Sequence, residues 1–107
     1  MAYPVIYLTG SSPVTSNSTT TAVTYDGDNE RADIYFTGTF GGASVAIQAS
    51  PLNDGSASGY VTVSGASAVT ENTVKSLNIG KDTKLRAVIT SAGGSTSLTI
   101  YARFYKE

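Results

Sequence analysis

Apolar and polar residues alternate along most of this chain with a period of two. In the clearest stretch, Ile34, Phe36 and Phe40 share one side of the backbone, while Tyr35 and several threonines occupy the other. Because the side chains of a strand point alternately to its two faces, this pattern predicts strands with one buried face. The same alternation recurs at 45–49, 60–64, 77–79, 85–90 and 98–105, and mixed apolar stretches lie near 3–8 and 19–25. β-Branched and aromatic residues carry the pattern, which favours strands over helices.

Glycine-rich breaks separate the predicted strands. The glycine pairs at 41–42 and 93–94 suit tight hairpins, since glycine accepts the positive φ that such turns require. Longer turns are predicted at 50–55 and at 80–82. These breaks divide the chain into about eight short strands. The apolar faces of such strands are buried when two sheets pack together. We therefore predict an all-β fold: an antiparallel β-sandwich with jelly-roll or Ig-like connections.

The chain has 107 residues, enough for one hydrophobic core and too few for two. We therefore expect a single β-sandwich domain over residues 1–107. Within residues 1–22, the serine- and threonine-rich part is expected to be a surface loop, or an extended arm that becomes ordered only against a neighbouring molecule. A short helix near 71–77 is the alternative to an all-strand chain.

The composition argues against an enzyme. With no histidine and no cysteine, the chain lacks the usual general base, any Ser-His or Cys-His nucleophile and any thiolate metal ligand. Asp26, Asp28 and Glu30 alternate as the ligands of a calcium loop do, but the glycine and the glutamate that complete such a loop are missing. We predict a solvated acidic turn there, and no catalytic, cofactor-binding or metal site in the chain.

Charge and the first residues narrow the class of partner. The net charge is −1 and 14% of the residues are charged, so binding to nucleic acid or to an anionic membrane through bulk charge is not expected. The chain starts with neither the basic segment nor the long apolar stretch of a signal peptide, so we expect synthesis in a cytoplasm without classical export. No apolar run is long enough for a transmembrane helix.

Tyrosine is the residue type that most strongly suggests an interaction surface. Tyr35 and Tyr101 are predicted to lie opposite the aliphatic positions of their strands, together with threonines and Arg103. Tyrosine combines a large apolar ring with a hydroxyl and has few rotatable bonds, which favours contacts with another subunit or with a sugar ring. Partial burial and plain β propensity are the ordinary explanation for the same pattern.

The N-terminal segment adds further candidates. Tyr3, Val5 and Tyr7 are predicted to point one way and Ile6 the other, so both sides of this strand need cover. Pro4 suits an edge strand, which is open to strand exchange or augmentation. The residues predicted to contact other molecules are Tyr3, Val5, Ile6, Tyr7, Tyr35, Tyr101 and Arg103.

Two stretches resemble a known family. They read FGGASVAIQASP at 40–51, followed by NDG at 53–55, and LNIGKDTKLRAVI at 77–89, followed by GGSTSLTI at 93–100. These sequences resemble small β-sandwich structural proteins of tailed bacteriophages. The resemblance covers residues 36–104, and because the shared positions belong to strands and turns, no functional residue is carried over.

The resemblance implies a non-enzymatic virion protein, most like a capsid decoration (cement) protein that stabilises the outer capsid surface. The implied partners are the major capsid protein and further copies of this chain, as a dimer or a trimer, with no nucleic acid, membrane or cofactor. A tail or neck location stays open. The alternative is a carbohydrate-binding or adhesin module of a tail fibre or surface protein, in which the tyrosines would bind a glycan.

Overall fold

A computed structural model describes residues 5–25, 31–50, 59–78 and 83–105 of the chain. Within these ranges the chain forms nine strands and no helix, which confirms the all-β prediction. No helix that could cross a membrane is found there. The strands are β1 (Val5–Tyr7), β2 (Ser18–Thr19), β3 (Val23–Tyr25), β4 (Arg31–Thr39), β5 (Ser44–Ser50), β6 (Val61–Thr62), β7 (Thr73–Asn78), β8 (Thr83–Thr90) and β9 (Ser97–Tyr105).

The strands pair antiparallel in two sheets. The first sheet has the order β1-β9-β4-β7, and the second has the order β2-β8-β5-β6, with β3 also paired to β8. Because β2 and β3 both pair with β8, they form one interrupted edge strand of the second sheet. Apart from β2 to β3 and β5 to β6, each connection crosses to the other sheet, which is the jelly-roll connectivity, one of the two predicted. The segment near 71–77 is not a helix, because it carries β7.

One hydrophobic core fills the space between the sheets. Even-numbered residues of β4 and β9 point inward, and Ile34, Phe36 and Ile100 are fully buried. The second sheet contributes Ile47 and Leu85, which are also fully buried. Burying one such side chain stabilises the fold by about 1.5–3 kcal/mol. The core therefore fixes which side of each strand faces inward and leaves the odd-numbered residues of β4 and β9 on the outside.

Thr96 joins the two turns at one end of the sandwich. Its hydroxyl donates to the carbonyl of Phe40 at 2.7 Å and accepts from the backbone N–H of Gly93 at 2.9 Å. The residue is 3% exposed, so water is not available as a substitute partner. Since these turns connect β4 to β5 and β8 to β9, Thr96 holds the two sheets together at this end.

β4 and β9 approach each other closely at Gly38. This residue has a φ of 116°, a conformation that favours glycine, and it lies opposite Leu98 in the ladder. A Cβ atom at Gly38 would overlap the carbonyl oxygen of Ser97. Glycine at this position therefore permits the close pairing of the two central strands of the first sheet.

The serine- and threonine-rich segment before β3 passes from the first sheet to the second. Val14 exchanges two backbone hydrogen bonds with Leu98 of β9, at 2.8 and 2.9 Å. The side-chain oxygen of Asn17 accepts from the backbone N–H of Ala92 at 2.8 Å. The segment is thus held by contacts with its own chain, next to the ends of β8 and β9.

Candidate interaction surface

Three tyrosines form a row across the outer face of the first sheet. Tyr7, Tyr101 and Tyr35 are opposite one another in the ladders of β1, β9 and β4. The ring centroids of Tyr7 and Tyr101 are 5.2 Å apart and those of Tyr35 and Tyr101 are 5.0 Å apart. Val74 of β7 pairs with Tyr35 and extends this tyrosine row to the far edge of the sheet, where it is 48% exposed.

The orientation of the rings decides what the row presents to a partner. The planes of Tyr35 and Tyr101 are 8° apart, and that of Tyr7 is tilted by 38° from Tyr101. Tyr101 lies between its two neighbours, so its flat faces are turned toward them rather than toward solvent. The row therefore presents ring edges and hydroxyl groups to the outside, with Tyr7 the most open ring at 52% exposure.

A charged row lies beside the tyrosine row. The ladders place Val5 opposite Arg103, and Arg103 opposite Asp33. The Ser76 hydroxyl donates to a carboxylate oxygen of Asp33 at 2.6 Å. Opposite charges on directly paired positions stabilise a sheet, and the hydrogen bond from Ser76 orients the carboxylate. This row supplies polar groups of fixed orientation next to the rings.

Short hydroxyl side chains occupy the other side of the tyrosine row. Thr37 is opposite Thr99, and Thr39 is opposite Ser97. The Thr37 hydroxyl donates to the backbone carbonyl of Thr99 at 2.8 Å, so a partner can cover it without leaving its donor unsatisfied. We call these two pairs the threonine rows. The tyrosine row, the charged row and the threonine rows together form what we call the tyrosine face.

The structure brings together most of the residues predicted from the sequence to contact other molecules. The five on the tyrosine face are Val5, Tyr7, Tyr35, Tyr101 and Arg103. Ile6 does not share this face, because it points to the inner side, is partly buried and packs against the core. Tyr3, and the predicted acidic turn at 26–30, lie outside the described residues.

Sequence reasoning missed the contribution of β7 to this face. Val74 and Ser76 point outward, whereas Leu77 is buried. Apolar and polar residues do not alternate at 74–77, where Val74 is exposed and Lys75 points inward, so the stretch carried no clear signal for this strand and also allowed a short helix. It also missed a contact on the second sheet, where the Arg86 guanidinium lies 3.9 Å from the centre of the Tyr60 ring and donates to Gln48 at 2.8 Å.

The edge strands β1 and β2/β3 are interrupted in similar ways. Beyond β1, the Thr9 hydroxyl accepts from the backbone N–H of Ile100 at 3.2 Å, and backbone pairing with β9 resumes at Val14. Beyond β2, the Thr20 hydroxyl accepts from the backbone N–H of Ala87 at 2.9 Å, and pairing resumes at β3. Interrupted edges are poor templates for another strand. The geometry therefore disfavours strand augmentation at these two edges.

The edge formed by β7 carries a different obstacle. Lys75 pairs with the core residue Ile34, so it occupies an inward position of an edge strand. A charged side chain in such a position would have to be buried if another strand paired with β7, and this discourages edge-to-edge association. Contacts with a partner are therefore expected on the face of the first sheet rather than along its edge.

Among the residues that the structure describes, no group of three or more histidine, cysteine, aspartate or glutamate side chains could hold a metal ion. No protein-family model, curated protein or solved structure matches the chain.

Proposed function

We propose that this chain is a non-enzymatic structural protein that binds other proteins through the tyrosine face, and that it serves as a capsid decoration protein of a tailed bacteriophage. The observation that carries this proposal is the tyrosine row: three adjacent rings fixed on a rigid sheet and flanked by a charged row and the threonine rows. Aromatic residues and arginine are enriched at protein interfaces, whereas lysine and glutamate are depleted there.

The tyrosine face is already ordered before it meets a partner. The stacked rings restrict one another, the Thr37 hydroxyl is bonded to the β9 backbone, and Asp33 accepts a hydrogen bond from Ser76. Association normally loses free energy when flexible side chains become fixed. That loss is reduced here, so even a small contact area can contribute usefully to binding.

The family resemblance supports the placement on a phage capsid. It covers residues 36–104, which include the last part of β4 and nearly all of β9, the central strands of the first sheet. Jelly-roll domains occur in viral capsid proteins and in lectins, an analogy at the level of fold alone. In this proposal the partners are the major capsid protein and further copies of the chain, on the outer capsid surface. Repeated sites on a lattice make individually weak contacts strong together.

The glycan-binding alternative receives less support from the ring geometry. A sugar that stacks on an aromatic side chain needs an open ring face. The Tyr101 ring lies between the rings of Tyr7 and Tyr35, at 5.2 and 5.0 Å. The row is therefore better suited to a protein surface, which can contact ring edges and hydroxyls.

The test uses virus particles made with and without the gene for this chain. We expect the chain to be present in purified particles, electron microscopy to locate it on the outer capsid, and purified chain to bind again to particles that lack it. Tyr101→Ser should weaken this binding. Tyr60→Ser, which removes a tyrosine from the outer face of the second sheet, is the matched control. Absence of the chain from particles, or full binding by Tyr101→Ser, would contradict the proposal.

A further inference from the structure

We infer that the tyrosine face binds the tyrosine face of a second copy of this chain, around a two-fold axis that runs across the strands. The inference rests on the proposed function, because it names the partner of the same face. It makes the dimer the unit that decorates a lattice, because copies held side by side contact one another through this face.

The order of the rows makes the face complementary to itself. Along β9, Ser97 and Thr99 belong to the threonine rows, whose side chains are short. Tyr101 and Arg103 belong to the tyrosine and charged rows, whose side chains are long. A two-fold axis that crosses the strands between the rows of Thr99 and Tyr101 turns the strands of the second copy end over end. The order of the rows in the second copy is then the reverse of that in the first. The tyrosine row of each copy then lies over a threonine row of the other.

The length of the side chains favours this arrangement over one in which the two tyrosine rows face each other. Sheets that pack face to face lie about 10 Å apart. Tyrosine opposite tyrosine would hold two sheets farther apart than this and leave gaps beside the rings. Tyr101 opposite Thr99 of the second copy fills the available depth, and Tyr35 meets Thr37 in the same way, since these residues are neighbours along β9 and β4.

The charges are also compatible with this pairing. The reversed order places the row of Arg103 and Asp33 over the row of Ser97 and Thr39 of the second copy. Charged groups then meet hydroxyls rather than like charges, at the ends of the contact where water has access. Because Asp33 already accepts a hydrogen bond from Ser76 within its own chain, the contact does not bury an unsatisfied carboxylate.

The area of the face sets the expected strength. The first sheet contains strands of three, nine, nine and six residues. At roughly 16 Å² of sheet per residue, each face offers about 430 Å² in projection. This is smaller than the roughly 800 Å² per partner of stable complexes, so the dimer is weak in dilute solution. It becomes populated at high concentration, or where a lattice holds copies side by side.

Sedimentation velocity on the purified chain, from about 10 μM to 1 mM, tests this inference. We expect a concentration-dependent shift from monomer to dimer. Isotope-filtered NMR on a mixture of ¹³C-labelled and unlabelled chains should then show contacts between the Tyr101 ring of one copy and the Thr99 methyl of the other. A chain that stays monomeric throughout and lacks these contacts overturns the inference.

Thr99→Lys tests the register, because it places a long charged side chain where the second copy's tyrosine row must fit. It should raise the dimer Kd at least about tenfold. Thr90→Lys makes the same change at an exposed position of β8 in the second sheet and should leave Kd unchanged. Tyr101→Ser is a second variant in case Thr99→Lys fails to fold, which circular dichroism would reveal. A dimer unaffected by both face variants overturns the inference.

The two proposals fail differently. A monomeric chain that still binds capsids through Tyr101 overturns the inference and leaves the proposed function standing. A dimer with the expected NMR contacts supports the inference even if the chain is absent from virus particles, the outcome that contradicts the proposed function.

Discussion

The rings of Tyr35 and Tyr101 lie nearly parallel, 5.0 Å apart, on the outer face of the two longest strands of the first sheet. The pair exists because β4 and β9 are in register along their full length, from Arg31 opposite Tyr105 to Thr39 opposite Ser97. A slip of one residue would turn either tyrosine toward the core. The core residues that fix the register therefore also assemble the interaction surface.

Removing the central ring of the tyrosine row should cost stability. We expect Tyr101→Ala to lower the free energy of unfolding by about 1–3 kcal/mol, because two aromatic pairs worth about 0.5–1.5 kcal/mol each are lost. Urea denaturation measures this. Tyr101→Phe keeps both ring contacts and should be close to the parent. Equal stability of Tyr101→Ala and the parent would show that the stack contributes nothing to folding.

Thr96 should be sensitive to loss of its hydroxyl. Thr96→Val keeps the shape of the side chain but removes the hydrogen bond to the carbonyl of Phe40 and the bond from the N–H of Gly93. The carbonyl of Phe40 still accepts from the N–H of Ala43. We expect a loss of about 1–3 kcal/mol in the free energy of unfolding, measured by thermal or urea denaturation. Thr96→Ser retains the hydroxyl and should lose less. The idea fails if the valine variant is as stable as the serine variant.

Gly38 should not tolerate a methyl group. In Gly38→Ala the new Cβ would overlap the carbonyl of Ser97, and the positive φ adds strain, so we expect a loss of more than about 1 kcal/mol. Gly94→Ala is the matched control, because nothing lies within 4 Å of a Cβ at that position. Denaturation curves for the two variants should therefore separate clearly. Similar curves would argue against a tight approach of β4 and β9.

Lys75 should protect the edge of the first sheet. In Lys75→Val the inward charge on β7 is lost, which makes this edge a better template for pairing between molecules. We expect faster aggregation on warming, followed by light scattering. Lys84→Val removes the same charge from β8, a strand that has neighbours on both sides, and should aggregate less. Equal aggregation of both variants would mean that net charge, rather than the position of Lys75, controls solubility.

The strands around residues 34–40 and 98–105 were predictable because each buries one face. Apolar and polar residue types therefore alternate along their sequences. The tyrosine face followed from the same alternation. The alternation at 60–64 predicts Val61 on an apolar face, yet this residue is 68% exposed, because β6 is a two-residue edge strand with little to cover it. Burial at an edge depends on neighbours that sequence does not reveal.

The sequence did not predict which side chains take the place of backbone groups as hydrogen-bond partners of a neighbouring strand. Thr9 and Thr20 each accept a hydrogen bond from the neighbouring strand, but threonine is common in this chain and nothing local distinguishes these two. The sheet order was also open, since alternation gives the faces of strands and not their neighbours. The alternation allowed both jelly-roll and Ig-like connections. The pairing of β1 with β9 and of β4 with β7 identifies the jelly-roll.

The strands from β4 to β9 are consecutive in the sequence and pair with one another, whereas β1, β2 and β3 pair only with β8 and β9 among the described strands. The first quarter of the chain is therefore a flank that lies outside the central ladders, and it is anchored to the core by Leu8. In hydrogen-exchange measurements, amides of β8 and β9 that bond to this flank should exchange through local opening, well before those between β4 and β9. Such opening would detach Tyr7 while leaving Tyr35 and Tyr101 in place.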